Sequence, residues 1–263
     1  MTTSNQNQLA EQSIELPAQQ VPSTPEEPVK APLPLIVARG LGRKSIRGIP
    51  YQDIDLDIMP GTVTALVGES GSGKTALLLT LAGAMESNQG TLQVNGYPLP
   101  KKRRKVRKIS GMGFIADLNQ VYPSIKVRTT VAAELELYSR KANRAAVHAY
   151  LQEYNMDDLA DKTPLQLTTE EMDKLGIILG LANEPIILIV DDIESQLTQH
   201  QGRKMLGFLM DIAHTHGTTI VVAVSEYEIA RGADQVVLMS DDARKQAAKV
   251  EEIIAARRQG GAA

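Results

Sequence analysis

The sequence feature that most restricts the fold is the segment Leu66–Leu77, which reads LVGESGSGKTAL. Its first glycine, four free positions and Gly-Lys-Thr match the phosphate-loop pattern, and the apolar run Val63–Val67 leads directly into it. Glycines let such a loop fold into a concave nest whose backbone N–H groups face phosphate oxygens. The segment therefore predicts a strand, a nucleotide-binding loop and a helix, in that order.

The chemistry of this loop assigns roles to its side chains. Lys74 is expected to reach the β- and γ-phosphates of a nucleotide, and the hydroxyl of Thr75 is expected to ligate Mg²⁺. The helix that begins near Lys74 adds the positive end of its dipole to the same anion. The predicted nucleotide-binding residues are Gly68, Glu69, Ser70, Gly71, Ser72, Gly73, Lys74, Thr75 and Ala76.

Composition restricts the class of protein around this loop. With 263 residues, of which 43% are hydrophobic, the chain has room for one sizeable domain with flanking tails. Cysteine is absent, which excludes disulfides and thiolate metal sites. A net charge of −3 argues against a protein whose whole surface binds nucleic acid. Neither a secretory signal nor a membrane-spanning segment is expected from the sequence.

The two ends of the chain differ in composition from the middle. Residues 1–34 are rich in Gln, Pro, Glu, Ser and Thr, so we expect a disordered arm that buries too little apolar surface to fold. Residues 240–263 read as a charged, Ala-rich helical tail that ends in Gly260-Gly261. The nucleotide-binding domain is therefore expected to occupy residues 35–239.

Three further patterns predict the elements around the phosphate loop. The stretch Tyr51–Ile58 alternates apolar and polar residues, as a half-buried strand does. The segment Thr91–Leu99 contains an Asn-Gly pair between two extended pieces, which is typical of a hairpin. Helical periodicity indicates a mainly helical insert over about residues 127–181.

The stretch Lys101–Lys108 is basic at every position except Val106. A solvated surface loop is the ordinary interpretation of such a run. Contact with an anionic membrane surface or with nucleic acid is the functional alternative. No aromatic residue interleaves with the charges, so a base-stacking platform is not indicated.

A second acidic motif follows the helical insert. The apolar run Ile186–Val190 ends in Asp191 and Asp192. In a phosphate-loop site, the first carboxylate can hold Mg²⁺ and the second can polarise the attacking water, which makes Asp192 the candidate catalytic residue. The predicted metal-binding residues are therefore Thr75 and Asp191.

The order of these parts resembles the nucleotide-binding subunit of ABC-type ATPases from about Leu35 to Met239. The stretches PGTVTALVGESGSGKTALLLTLAG, LANEPIILIVDD and GADQVVLM carry the resemblance. It implies an α/β P-loop NTPase with a RecA-like core, an antiparallel β subdomain and a helical subdomain. It also implies ATP and Mg²⁺ as cofactors, a homo- or heterodimer of such domains, a transmembrane permease chain as partner, and a cytoplasmic location at the inner face of the membrane.

The sequence departs from the family pattern in the segment that should contact the partner's ATP. Family members usually carry Leu-Ser-Gly-Gly-Gln there, whereas this chain has Leu167-Thr168-Thr169-Glu170-Glu171. Thr168 keeps a hydroxyl. Thr169 adds a Cβ where the backbone must approach closely, and Glu170 places a carboxylate near a phosphate. We expect this half-site to be broken.

Other departures affect hydrolysis. The catalytic glutamate of the family is Asp192 here, one methylene shorter, and the histidine that contacts the γ-phosphate aligns with Ser225. The glutamine that senses Mg²⁺ aligns with Asp117, with Gln120 close by. The loop after the second acidic motif lacks the family's proline and closing aspartate.

These features support three hypotheses. The first is an ATP-binding subunit of an ABC transporter or related complex with weak or absent hydrolysis. The second is a competent ATPase subunit in which Asp192 replaces the glutamate. The third is a non-catalytic regulatory or scaffolding module that binds nucleotide.

Overall fold

Two β-sheets organise the chain. A computed structural model of the protein describes residues 33–46, 48–115, 121–194 and 197–260, with side chains described as far as residue 255. The first sheet is antiparallel with the order β2-β1-β4-β5; its strands are β1 (Ile36–Ser45), β2 (Gly48–Ile58), β4 (Gln89–Val94) and β5 (Tyr97–Leu99). The second sheet is parallel with the order β6-β7-β8-β3-β9; its strands are β3 (Val63–Val67), β6 (Ser110–Met112), β7 (Ile187–Val190), β8 (Thr219–Val224) and β9 (Gln235–Leu238).

The helices pack around these sheets. They are α1 (Lys74–Leu81), α2 (Arg103–Lys108), α3 (Val127–Leu137), α4 (Arg144–Glu153), α5 (Thr169–Leu181), α6 (Gln199–His216), α7 (Tyr227–Ala230) and α8 (Asp241–Gly260). Two short 3₁₀ turns, Asp157–Leu159 and Pro164–Gln166, join α4 to α5. Within the described ranges, no helix combines the length and the apolar character needed to cross a bilayer.

The parallel sheet is buried on both faces because helices and the antiparallel sheet cover it. Strands β3, β7 and β8 are apolar and buried almost throughout, as expected for strands enclosed on two sides. On one face, Val63 and Val190 pack with apolar residues of α3 to α6. On the other face, Leu66 packs with α1 and with residues of the antiparallel sheet such as Ile36. The predicted combination of a parallel core, an antiparallel sheet and a helical insert is therefore confirmed.

Local predictions near the antiparallel sheet are confirmed. The hairpin forms between β4 and β5, and its turn residues Asn95 and Gly96 have φ values of 47° and 73°. These left-handed values explain why Asn-Gly marks the turn. Tyr51 is only 4% exposed, so it belongs to the core of the fold.

The basic run was wrongly predicted as a loop. Arg103–Lys108 forms the short helix α2, and its one apolar residue, Val106, is fully buried. That single side chain anchors the helix on the core side, while the charges lie outside. The predicted strand Gly111–Ala116 is also shorter than expected, since β6 ends at Met112. The predicted N-terminal arm lies outside the described residues, apart from Leu33 and Pro34.

Candidate functional site

Three loops meet at one edge of the parallel sheet. Strand β8 pairs with β7 on one side and with β3 on the other, so the carboxyl ends of these three strands are neighbours. The phosphate loop follows β3, the acidic pair follows β7, and Ser225 follows β8. Crevices at this edge of α/β sheets are the usual ligand sites of such folds. The topology therefore assembles segments that are far apart in the sequence.

The phosphate loop has the backbone shape that its glycines predict. Gly71 and Gly73 have φ values of 86° and 90°, in the left-handed region. A Cβ on Gly73 would lie 2.0 Å from the carbonyl oxygen of Pro50, so only glycine fits there. Gly73 also precedes the first residue of α1 and provides no side-chain cap. The N–H groups of the first helical turn are thus available to an anion.

Lys74 lies inside the loop with its ammonium directed at main-chain oxygens. The residue is 9% exposed, and its Nζ donates to the carbonyl oxygens of Gly68 and of Glu69, the latter at 3.0 Å. Carbonyl oxygens carry no formal charge, and no salt bridge to Lys74 forms within the described residues. A buried cation held in this way attracts a negatively charged group such as a phosphate.

The two predicted metal-binding residues are in direct contact. The hydroxyl of Thr75 donates to Oδ2 of Asp191 at 2.6 Å, although 116 positions separate them in the sequence. Burial raises the pKa of the Asp191 carboxyl, and the hydrogen bond from Thr75 opposes this shift. A hydroxyl and a carboxylate side by side supply the hard oxygen ligands that Mg²⁺ prefers. The side chains present therefore fit Mg²⁺ bound with a nucleotide phosphate.

The candidate catalytic residue Asp192 has an unusual backbone conformation. Its φ is 48°, in the left-handed region that residues with a Cβ seldom adopt, and it lies on the exposed side of the site. The carboxyl of Asp173 on α5 lies near Asp192, close enough for the charge of Asp192 to affect the pKa of Asp173. Burial, followed by the charge of Asp192, raises the pKa of Asp173 to about 6.

The segment that the sequence predicts at the family's signature position folds as a helix N-terminus. Thr168 caps α5, since its Oγ1 accepts the N–H of Glu171 at 3.2 Å while Glu171 Oε2 accepts the N–H of Thr168 at 2.7 Å. This reciprocal pair is a capping box, so the Thr168 hydroxyl already has a partner. Glu170 pairs with Lys174 at 2.8 Å.

One residue of the site, Glu194, was missed by sequence reasoning. Its Oε1 accepts the backbone N–H of Ser225 and, at 3.0 Å, the backbone N–H of Glu226. Burial raises the pKa of this carboxyl, and the N–H donors oppose the shift. Its other oxygen is buried and has no hydrogen-bond partner within the described residues. The only signal was that this loop lacks the family's proline and closing aspartate, which indicated an altered loop but not the contact that Glu194 makes.

Asp117 and Gln120, the two candidates for the magnesium-sensing glutamine, lie outside the described residues, as do Ser195 and Gln196. The hydroxyl of Tyr51 contacts Thr80 Oγ1 at 2.7 Å inside the core, as expected for a residue on the buried side of its strand.

Comparisons of the sequence agree with this geometry. Residues 51–195 match the protein family described as ABC transporter. An uncharacterised ABC transporter ATP-binding protein of Mycobacterium tuberculosis is 28% identical over 70% of this chain and 76% of its own length. The lipoprotein-releasing system ATP-binding protein LolD 2 of Caulobacter vibrioides is 28% identical over 79% of this chain and 95% of its own length.

Solved structures show the same fold. The chain cbiO1 from Clostridium perfringens, part of the ABC transporter complex cbiONQ, aligns with a TM-score of 0.68 at 22% identity, over 78% of this chain and 84% of that chain. The dimeric bacterial ABC transporter cassette MJ0796 aligns with a TM-score of 0.64 at 22% identity, over 77% of this chain and 93% of that chain. With the family match and the joined phosphate loop and Asp191, these findings show that the chain belongs to the ABC transporter family as an ATP-binding subunit.

Proposed function

We propose that the protein binds Mg²⁺-ATP and hydrolyses it weakly or not at all. The observation that carries the proposal is a contrast within one site. The residues predicted to bind phosphate and metal lie together, and the 2.6 Å contact between Thr75 and Asp191 supports their shared role. The parts that would activate water are altered at Asp192 and Ser225.

Nucleotide binding would use the phosphate loop and its metal pair. The N–H groups of residues 68–76 and the ammonium of Lys74 would hold the phosphates, and Thr75 with Asp191 would hold Mg²⁺. The metal would neutralise phosphate charge and fix the orientation of the phosphate oxygens. Because Lys74 and Thr75 currently bond to protein oxygens, binding requires an exchange of these hydrogen bonds for stronger, charge-assisted ones.

Hydrolysis needs groups that this chain has replaced. Phosphoryl transfer depends mainly on positioning and on electrostatic stabilisation of the transferred group. The carboxylate of Asp192 is one methylene shorter than glutamate and stands on a left-handed backbone position. The position of the family's histidine is Ser225, which offers no cationic ring. The combined loss is expected to lower turnover by several orders of magnitude.

The signature segment adds a further obstacle to hydrolysis in a dimer. MJ0796 is described as a dimeric ABC transporter cassette, and we infer a homo- or heterodimer for this chain as well. Thr168 is engaged in the cap of α5. Glu170 would bring a carboxylate towards the phosphates of the partner's nucleotide, and its ion pair with Lys174 would offset only part of the repulsion. An intact partner would therefore repair neither site completely.

We infer that a transmembrane permease chain is the partner of this subunit. Among the relatives are ATP-binding proteins of a lipoprotein-releasing system and of sulfate/thiosulfate import, and cbiO1 is part of a transporter complex. A groove of about 590 Å³ between β6 and α3 supports this inference, because Tyr122 and Tyr138 on its border are 74% and 44% exposed. An apolar helical segment of the permease would cover these rings. Such a subunit would lie in the cytoplasm at the inner face of the membrane.

The helix α2 supports an additional contact with acidic lipids. Its run Lys101–Lys108 carries seven basic side chains, and only Arg103 forms an ion pair within the described part of the chain, with Glu86. Clustered cations near a membrane bind anionic headgroups. Flotation with vesicles containing phosphatidylserine would test this contact; binding to nucleic acid instead of vesicles would contradict it.

Titration calorimetry with Mg²⁺-ATP, followed by phosphate-release measurements on the same sample, tests the main proposal. We expect saturable binding with phosphate release near background. Robust turnover by the isolated chain would favour the competent ATPase. The absence of binding would contradict the proposal entirely.

A further inference from the structure

The last helix of the chain begins beside the phosphate loop. The backbone N–H of Met239 donates to the carbonyl oxygen of Val67 at 2.7 Å, next to the start of the loop. One residue later, the hydroxyl of Ser240 donates to Oε2 of Glu69 at 2.6 Å. Glu69 lies within the nucleotide-binding loop, so this contact joins the loop to the segment that leads into α8.

The Ser240 hydroxyl serves both sides of this junction. While it donates to Glu69, its oxygen accepts the backbone N–H of Ala243 at 3.1 Å, which caps the first turn of α8. The hydrogen bond from Ser240 is also the largest cause that holds the pKa of the Glu69 carboxyl below its usual range. The carboxylate is therefore held at the N-terminus of α8, where the hydrogen bond from Ser240 favours its ionised form and the charge of Asp242 opposes it.

Helix α8 also contacts the segment that follows Ser225. The backbone N–H of Tyr227 donates to Gln246 Oε1 at 3.0 Å, and its hydroxyl donates to Glu251 Oε1 at 3.1 Å. Ala243 and Ala247 are 3% and 7% exposed, so α8 packs against the domain along its first turns. Helix α8 and the Ser240 that caps it therefore contact the phosphate loop and the start of α7, the helix that follows Ser225.

We propose that α8 is a strap that holds the phosphate loop ready for nucleotide, with Ser240 as the positioning residue that acts through Glu69. The inference rests on the proposed nucleotide binding. Ser240 would affect nucleotide binding because Glu69 carries a negative charge. Released from Ser240, the carboxylate can turn towards Lys74 and repel an incoming phosphate. Docking of α8 and binding of nucleotide then become coupled, and each strengthens the other.

The test compares two substitutions of Ser240, to Asn and to Asp. These two side chains are nearly isosteric with each other, and both cap helices well. In Ser240→Asn, the side-chain oxygen can cap α8 while the amide donates to Glu69. In Ser240→Asp, the cap is kept but a second carboxylate faces Glu69. We expect Ser240→Asp to weaken Mg²⁺-ATP binding about tenfold, and Ser240→Asn to bind like the natural chain.

A charge change at the other end of the contact provides a rescue. In the double variant Ser240→Asp with Glu69→Gln, the glutamine amide can donate to the new carboxylate, so affinity should recover relative to Ser240→Asp alone. If Ser240→Asp and Ser240→Asn lowered the affinity for Mg²⁺-ATP equally, or if neither lowered it, the proposal that α8 acts as a strap would be wrong. Failure of the double variant to recover would also overturn it.

Hydrogen exchange separates the strap from the nucleotide proposal. Without nucleotide, Ser240→Asp should speed exchange of the amides of residues 69–73, whereas Ser240→Asn should not. If the natural chain binds no ATP, the proposed function is wrong. The exchange rates of the two variants without nucleotide still test whether α8 holds the phosphate loop. Equal exchange in the two variants would count against it. In the natural chain, Mg²⁺-ATP should slow exchange in the first turns of α8.

Discussion

The carboxylate of Glu194 accepts the backbone N–H of Ser225, which fastens the loop after the acidic pair to the loop after β8. The contact spans 31 positions and is supplemented by the N–H of Glu226. The main-chain donors favour the ionised form of this carboxylate against the larger effect of burial, and the donors become unsatisfied if the carboxylate is removed. The contact therefore holds the backbone of Ser225, the residue that the sequence predicts at the position of the family's histidine.

Replacing Glu194 should destabilise the protein most when the new side chain cannot accept the two main-chain N–H groups. We expect Glu194→Ala to lower the free energy of unfolding by about 2 kcal/mol, because two N–H groups lose their partner. Glu194→Gln should cost less, since its amide oxygen still accepts. Urea unfolding measures both, with Glu136→Ala on the exposed side of α3 as the control. Equal stability of Glu194→Ala and the control would contradict this account.

Lys74→Ala should abolish measurable binding of Mg²⁺-ATP. The substitution removes the buried cation of the loop, and a hydrogen bond to a charged phosphate contributes about 1.5–3 kcal/mol. Calorimetry is the measurement, and Lys204→Ala on the exposed side of α6 is the matched loss of charge. Retained affinity in Lys74→Ala would show that nucleotide binds elsewhere.

Asp173→Asn should stabilise the protein at neutral pH and not in acid. Burial raises the pKa of Asp173 to about 6, and Oδ2 is buried without a hydrogen-bond partner within the described residues. A carboxyl whose folded pKa is raised favours the folded state below about pH 4, and this advantage is lost as pH rises through about 6.

The expected gain for Asp173→Asn at pH 8 is about 1 kcal/mol, after allowance for the partial exposure of this carboxyl. Thermal unfolding at pH 4 and pH 8 would measure it. Asp211→Asn on the exposed side of α6 is the control for the charge change. A gain of equal size at both pH values would rule out the protonation argument.

Restoring one catalytic group should not restore hydrolysis. Asp192→Glu alone should leave phosphate release near background, because Ser225 and the segment at Thr169 remain altered. Adding Ser225→His to Asp192→Glu should raise turnover more than either single change. Single-turnover measurements with saturating Mg²⁺-ATP would detect this. A large increase from Asp192→Glu alone would place the defect in that one carboxylate.

The sequence predicted those parts of the site that consist of short, contiguous motifs. The phosphate loop of Gly68–Thr75 and the apolar strand before Asp191 both have short patterns with a physical cause, and each forms as expected. The proximity of Thr75 and Asp191 followed from the two motifs together, because both residues were predicted to hold the same Mg²⁺.

The remaining contacts depend on tertiary packing that no short pattern specifies. Glu194 with Ser225 and Glu69 with Ser240 join residues 31 and 171 positions apart, and their polar side chains read locally as loop residues. Helix α2 was missed for a different reason. The run of basic residues predicted a solvated loop, whereas the segment forms a helix whose one apolar residue, Val106, is buried in the core.

The close approach of Pro50 to Gly73 has a consequence for how such chains change over evolutionary time. A methyl group at Gly73 would collide with the main chain of β2 at 2.0 Å, whether or not the protein ever turns over a nucleotide. Purifying selection for folding alone would therefore preserve this glycine after enzymatic activity had decayed. A lineage can lose its chemistry and still pass on the glycine by which that chemistry is commonly recognised.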